Sequence, residues 1–230
     1  MKGIFMIMEQ TCGEYRKMLC GCYFVLFFIQ CLLGYMFYTP FSQQNAIIYY
    51  LPILVAFFFV NRIHAKRLNV LRSNGAFHRI RLLPMNPSSF AWSELLFTGI
   101  SYAMIVFVQQ MVMLVIFMMN RIDYQTTNHA FLIYALSNEA SIFFTPHSLT
   151  QLVAFLLWFV ALIVVFTQMH LAMAYDQWIG RSILYLVAYV GVCFLLNTLS
   201  LLLTSVLVFI IMVISFLNLR SITGVGRWRS

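Results

Sequence analysis

Acid is scarce in this chain: its 230 residues include six Asp and Glu against 14 Lys and Arg. Charged residues of both signs make up 9% and hydrophobic ones 63%, against roughly 25% and 45 to 50% in soluble domains, which excludes a water-soluble fold. Catalytic signatures are also missing. There is no Gly-x-Ser-x-Gly and no His-Glu-x-x-His, and Gly224-Val225-Gly226-Arg227 lacks the lysine and length of a phosphate loop. The five cysteines (Cys12, Cys20, Cys22, Cys31 and Cys193) fall near the amino terminus or inside apolar runs, so no disulfide framework is expected, and Cys20 and Cys22 read as packing residues. No metal is assigned. His170 and Asp176 are six residues apart and do not share a helical face, while His129 and His147 have no nearby cysteine or acidic cluster.

What the chain has is apolar length. Six runs are read as membrane spans, at about 20–38, 46–60, 95–119, 151–173, 182–197 and 201–219, each measured against the ~20 residues that cross ~30 Å of hydrocarbon. The expected fold is therefore all-α, a polytopic membrane protein built as one transmembrane domain over 1–230. The first run is long enough to span and no small-x-small site follows it near Tyr35 to Pro40, so it is expected to stay as an anchor. Before it, Ile4, Met8, Cys12, Tyr15 and Leu19 share a stripe opposite Glu9, Gly13, Arg16 and Lys17, the pattern of an interfacial helix. Pro52 is expected to kink the second span unless a neighbour compensates. The 38 residues from Ser182 to Leu219 would overshoot the bilayer as one helix, so a hairpin broken at Asn197, Thr198 and Ser200 is predicted.

The basic residues fix an orientation. In this layout 13 of the 14 Lys and Arg fall on one side, with only Arg121 opposite, which places both termini in the cytoplasm and supports the last hairpin. The net charge of +8 is thus a topology signal, since the basic residues flank apolar runs rather than an aromatic-interleaved polar face, and no nucleic acid is expected. The segment 61–94 is read as a cytoplasmic loop and 120–150 as an external loop with an interfacial helix. His64 and His78, within the basic loop, are read as contacts for anionic lipid headgroups.

The cytoplasmic loop also has a shape of its own. Pro84 cannot continue a preceding helix, Asn86 is a good N-cap and Pro87 is favoured at a first helical position, so a helix is predicted to start at Pro87. Ser88, Ser89 and Ser93 give it a polar side, and Phe90, Trp92 and Leu95 an apolar one. An ordinary interfacial helix leading into span three accounts for the same pattern.

At this loop the sequence resembles the membrane subunits of ABC-2-type exporters, in which the loop between spans two and three carries a glycine, then Leu-Pro-Val, then a short helix. Gly75, Phe77, Ile80, Leu83, Pro84 and Met85 stand at the matching spacing, and Phe90 at an apolar position of the following helix. The resemblance implies a permease subunit with an amino-terminal interfacial helix, six transmembrane helices and a cytoplasmic coupling-type helix. It implies docking of a separate cytoplasmic ABC ATPase, which would hold ATP-Mg, through Gly75, Leu83, Pro84, Met85 and Phe90. It further implies pairing with a second copy or a similar permease, and a chain that is not itself an enzyme and holds no cofactor. The absence of organelle signals and the inside charge bias fit a bacterial inner membrane.

Two readings stay open at other positions. Gln109 and Gln110, inside the third span, are either helix-to-helix hydrogen-bonding groups or part of a translocation path. Glu94 and Asp176 sit at span ends, which leaves no intramembrane acid as a proton carrier and favours an ATPase-driven system over a secondary transporter. Ser73 and His78 stand where the family commonly has glutamate, and they favour the alternative of a non-transporting membrane scaffold or small-molecule-binding protein with the basic loop as a lipid anchor.

Overall fold

The computed structural model describes residues 2–36, 46–73, 88–119, 149–175, 179–194 and 201–224, and each of these stretches is one α-helix. They are α1 (Lys2–Met36), α2 (Ala46–Ser73), α3 (Ser88–Met119), α4 (Leu149–Tyr175), α5 (Ile179–Phe194) and α6 (Leu201–Gly224). Each predicted span lies largely within one of them. Among the described residues three helical segments are long and apolar enough to cross a membrane: Tyr15–Met36, Ser89–Val112 and Leu152–Ala174, with shorter apolar stretches at Ser182–Val192 and Leu203–Leu219.

The helices run further than the predicted spans, and the reason is local. No proline interrupts residues 2–36, so α1 is a single helix through the expected interfacial segment and into the first span, with no break between them. In α2 the helix continues beyond Val60 to Ser73, because the basic residues there are good helix formers and neither Gly nor Pro follows Pro52. The first third of the predicted loop 61–94 is therefore helix. Likewise α3 begins at Ser88 and runs without a break to Met119, so no separate short helix precedes it among the described residues. The interfacial helix expected within 120–150, the turns at 37–45 and 195–200, and the predicted docking positions before Ser88 lie outside the described residues.

Polarity is inverted relative to a soluble protein. Gln30, His64, Arg67, Glu94, Gln109 and Gln168 are buried, while Phe24, Phe28, Leu54, Phe58, Leu156 and Val187 are exposed. Water would penalise that surface and lipid would not, whereas polar groups facing lipid would lose their hydrogen-bond partners.

Contacts divide the chain into two units. The first comprises Met1–Arg16, Arg62–Ile100 and Val153–Ser230; the second comprises Lys17–Asn61 and Ser101–Leu152. In the first, Leu68 of α2, Phe90, Ala91 and Leu95 of α3, Val164, Leu171 and Ala172 of α4 and Leu219 of α6 form one apolar core. A second core joins Ala161 and Val165 to Tyr189 of α5 and Val208 of α6. Helices α5 and α6 lie against each other: the Asn218 amide donates to the Tyr185 hydroxyl at 2.8 Å, far from the short connection between Phe194 and Leu201, so the two run antiparallel as the hairpin reading requires. In the second unit, the Tyr23 hydroxyl donates to the Ser101 carbonyl at 3.0 Å and the Tyr102 hydroxyl donates to Asn61 Oδ1 at 2.6 Å. Asn61 Nδ2 in turn donates to the Phe57 carbonyl at 2.8 Å, and the Phe57 and Tyr102 rings lie 4.9 Å apart.

Candidate functional site

The site is assembled from side chains one helical turn apart. On α2, His64 and Arg67 are three residues apart and project from one face; on α3, Glu94 and Phe97 have the same spacing. The two faces meet in antiparallel order, His64 against Phe97 and Arg67 against Glu94. The Arg67 guanidinium donates to the Glu94 carboxylate, with both side chains almost wholly buried, at 1% and 3% exposure. Its carbon lies 4.2 Å from the centre of the Phe97 ring, so the cation is paired on one side and covered by an aromatic face on another.

A third helix joins through histidine. His64 lies 4.7 Å from the Phe97 ring and 5.5 Å from His170 of α4, the two imidazoles stacked at 6°. Phe166, one turn before His170, covers it from the same helix at 6.2 Å. All of these side chains belong to the first unit, and Ser93, Thr98 and Thr167 are buried on the same helices.

The α2 residues show how specific the placement is. Arg62, Lys66 and Arg72 are exposed along the helix, whereas Arg67 is turned inward. An isolated buried cation would be very costly, so the inward position depends on Glu94 opposite it. The sequence pattern does not announce this pair: it puts Arg67 in the loop, Glu94 at a span end and His64 among lipid headgroups. Glu94 instead lies within the apolar segment Ser89–Val112, and His64 is fully buried. A helical projection of α2 carried past Val60 would have shown the signal, since Ala56, Val60, His64 and Arg67 continue one inward stripe.

Of the predicted docking residues, Gly75, Leu83, Pro84 and Met85 lie outside the described residues. Phe90 is part of the α2–α3–α4–α6 core, and its carbonyl accepts from the Ser93 hydroxyl at 2.7 Å. The aromatic residue exposed nearby is Trp92, whose ring lies 5.8 Å from Phe216. Gln109 is buried with neither amide atom hydrogen-bonded among the described residues, while Gln110 is half-buried. Among the described residues no three His, Cys, Asp or Glu side chains gather as metal ligands. Comparison with known protein families, with curated proteins and with solved structures finds no match.

Proposed function

We propose that this chain is the permease subunit of an ATP-driven exporter of the ABC-2-like kind, with six spans and both termini in the cytoplasm of a bacterial inner membrane. It would form the translocation path with a second copy or a similar permease, and dock a separate cytoplasmic ATPase that holds ATP-Mg. The observation that carries the reading is the spacing of Gly75, Leu83, Pro84 and Met85 in the connection between α2 and α3. The buried place of Phe90 gives it a supporting role: it anchors the first turns of α3, and exposed Trp92 is the aromatic side chain open to a partner or a headgroup layer. Gln109, buried without a hydrogen-bond partner among the described residues, fits either a wet path or an amide awaiting a second protomer.

A non-transporting scaffold is the second reading, and Ser73 favours it. Its hydroxyl donates to the Val70 carbonyl at 3.1 Å, so it finishes a helix where the exporter family commonly has a carboxylate. Detergent pull-down from native membranes followed by mass spectrometry separates the two. The exporter reading expects an ATPase with the wild type and its loss in Pro84→Ala/Met85→Asp, a variant that avoids placing a charge in the core at Phe90. An ATPase absent from both preparations leaves the scaffold reading.

A further inference from the structure

We propose that the buried Arg67–Glu94 pair is a clamp that fixes the separation and register of α2 and α3 at the base of the 74–87 connection. That the connection presents itself to an ATPase rests on the reading above; the clamp does not.

Position is the first argument. Arg67 lies six residues before Ser73, where α2 ends, and Glu94 six residues after Ser88, where α3 begins. At 1.5 Å per residue each arm is ~9 Å long, so the pair ties the two helices at equal distances from these two ends.

Chemistry is the second. Two leucines would pack there at less desolvation cost, and such replacements in other proteins leave folding intact. What an apolar contact lacks is register preference: Leu against Leu tolerates a slide along the helix, while a buried charge drawn from its partner does not. The ion pair is also braced on further sides. Phe97 covers the guanidinium at 4.2 Å, and the same ring meets His64, which stacks on His170 of α4. A change of spacing between α2 and α3 must therefore disturb α4 as well. The other basic residues of α2, Arg62, Lys66 and Arg72, lie on its exposed side.

The test is a distance measurement on the full chain in lipid nanodiscs. Nitroxide labels are placed at Ser73 and Ser89, on either side of the connection, in a background whose native cysteines are replaced, and read by pulsed dipolar spectroscopy. The expected result is a single narrow distance in the wild type that is lost in Arg67→Ala. Arg67→Met/Glu94→Leu guards against simple unfolding: it should remain monodisperse and helical, yet also lose the narrow distance. A distribution in the double variant as narrow as in the wild type overturns the clamp. The pull-down on the same variants separates the two ideas: a clamp confirmed by distance in a protein that never retains an ATPase stands, while the docking reading falls.

Discussion

At the scale of single residues, each unit is held by polar groups that have few substitutes in an apolar environment. Tyr102 donates to Asn61 Oδ1 at 2.6 Å while Asn61 donates to the Phe57 carbonyl, so one amide joins α3 to the α2 backbone. Tyr102→Phe removes that donor and leaves the half-buried amide oxygen short of it, at an expected cost of ~1–3 kcal/mol. Tyr102→Phe/Asn61→Leu removes both partners and is expected to recover most of the loss. Thermal unfolding in detergent checks this, and a double variant less stable than the single one contradicts it. The ion pair predicts the same asymmetry on a larger scale: Glu94→Ala strands a buried guanidinium and is expected to cost ~3–5 kcal/mol, whereas Arg67→Met/Glu94→Leu is expected to be neutral or stabilising in the same assay. These residues were the least legible part of the sequence. Glu94 and Arg67 look like ordinary flanking charges until their helices are extended, because charge counting assigns each to a side of the membrane and says nothing about the face it occupies.

At the scale of elements, the sequence located the apolar helices and missed their ends. Apolar length locates spans because the bilayer requires it. It cannot locate ends, since a helix with Lys, Arg and Ser beyond the apolar run continues as readily as it stops, as α2 does to Ser73. The contact of α3 with α4 shows what then sets helix approach. Gly99 lies on α3 where an added Cβ would meet Ile163 Cδ1 at 3.5 Å, an ordinary van der Waals separation. Gly99→Ala is therefore expected to be tolerated, and to gain up to ~1 kcal/mol from helix propensity. Gly99→Leu, which must push Ile163 or separate the helices, is expected to lower the unfolding midpoint. Circular-dichroism melts of both variants decide the matter, and an alanine as damaging as leucine would show that the helices sit closer than described. The outer faces obey the opposite rule. Phe28 is 55% exposed on α1, so Phe28→Arg introduces a charge where lipid is expected, at ~2.5–3.5 kcal/mol for a mid-span position, and should reduce the membrane-inserted fraction.

At the scale of the whole molecule, the count of crossings decides what the chain is able to do. Among the described residues three helical segments reach spanning length, and two shorter apolar stretches belong to the α5–α6 pair. If that pair crosses as two arms of a hairpin, the carboxyl-terminal Arg220, Arg227 and Arg229 return to the side that holds Arg62, Lys66 and Arg72; if it dips into one leaflet, they return there without crossing. The charge bias is satisfied by both routes, so it is the loop at 195–200 that tells them apart. Single cysteines at Ser200 and Ser230, in an otherwise cysteine-free chain, give the measurement, with a membrane-impermeant maleimide applied to intact cells. The six-span layout expects Ser200→Cys to be modified from outside and Ser230→Cys to be protected until the membrane is opened. Protection at both sites would leave four crossings and a re-entrant hairpin, with too few spans for the exporter arrangement. The Asn218–Tyr185 hydrogen bond would then hold a plug against α4 rather than close a transmembrane pair.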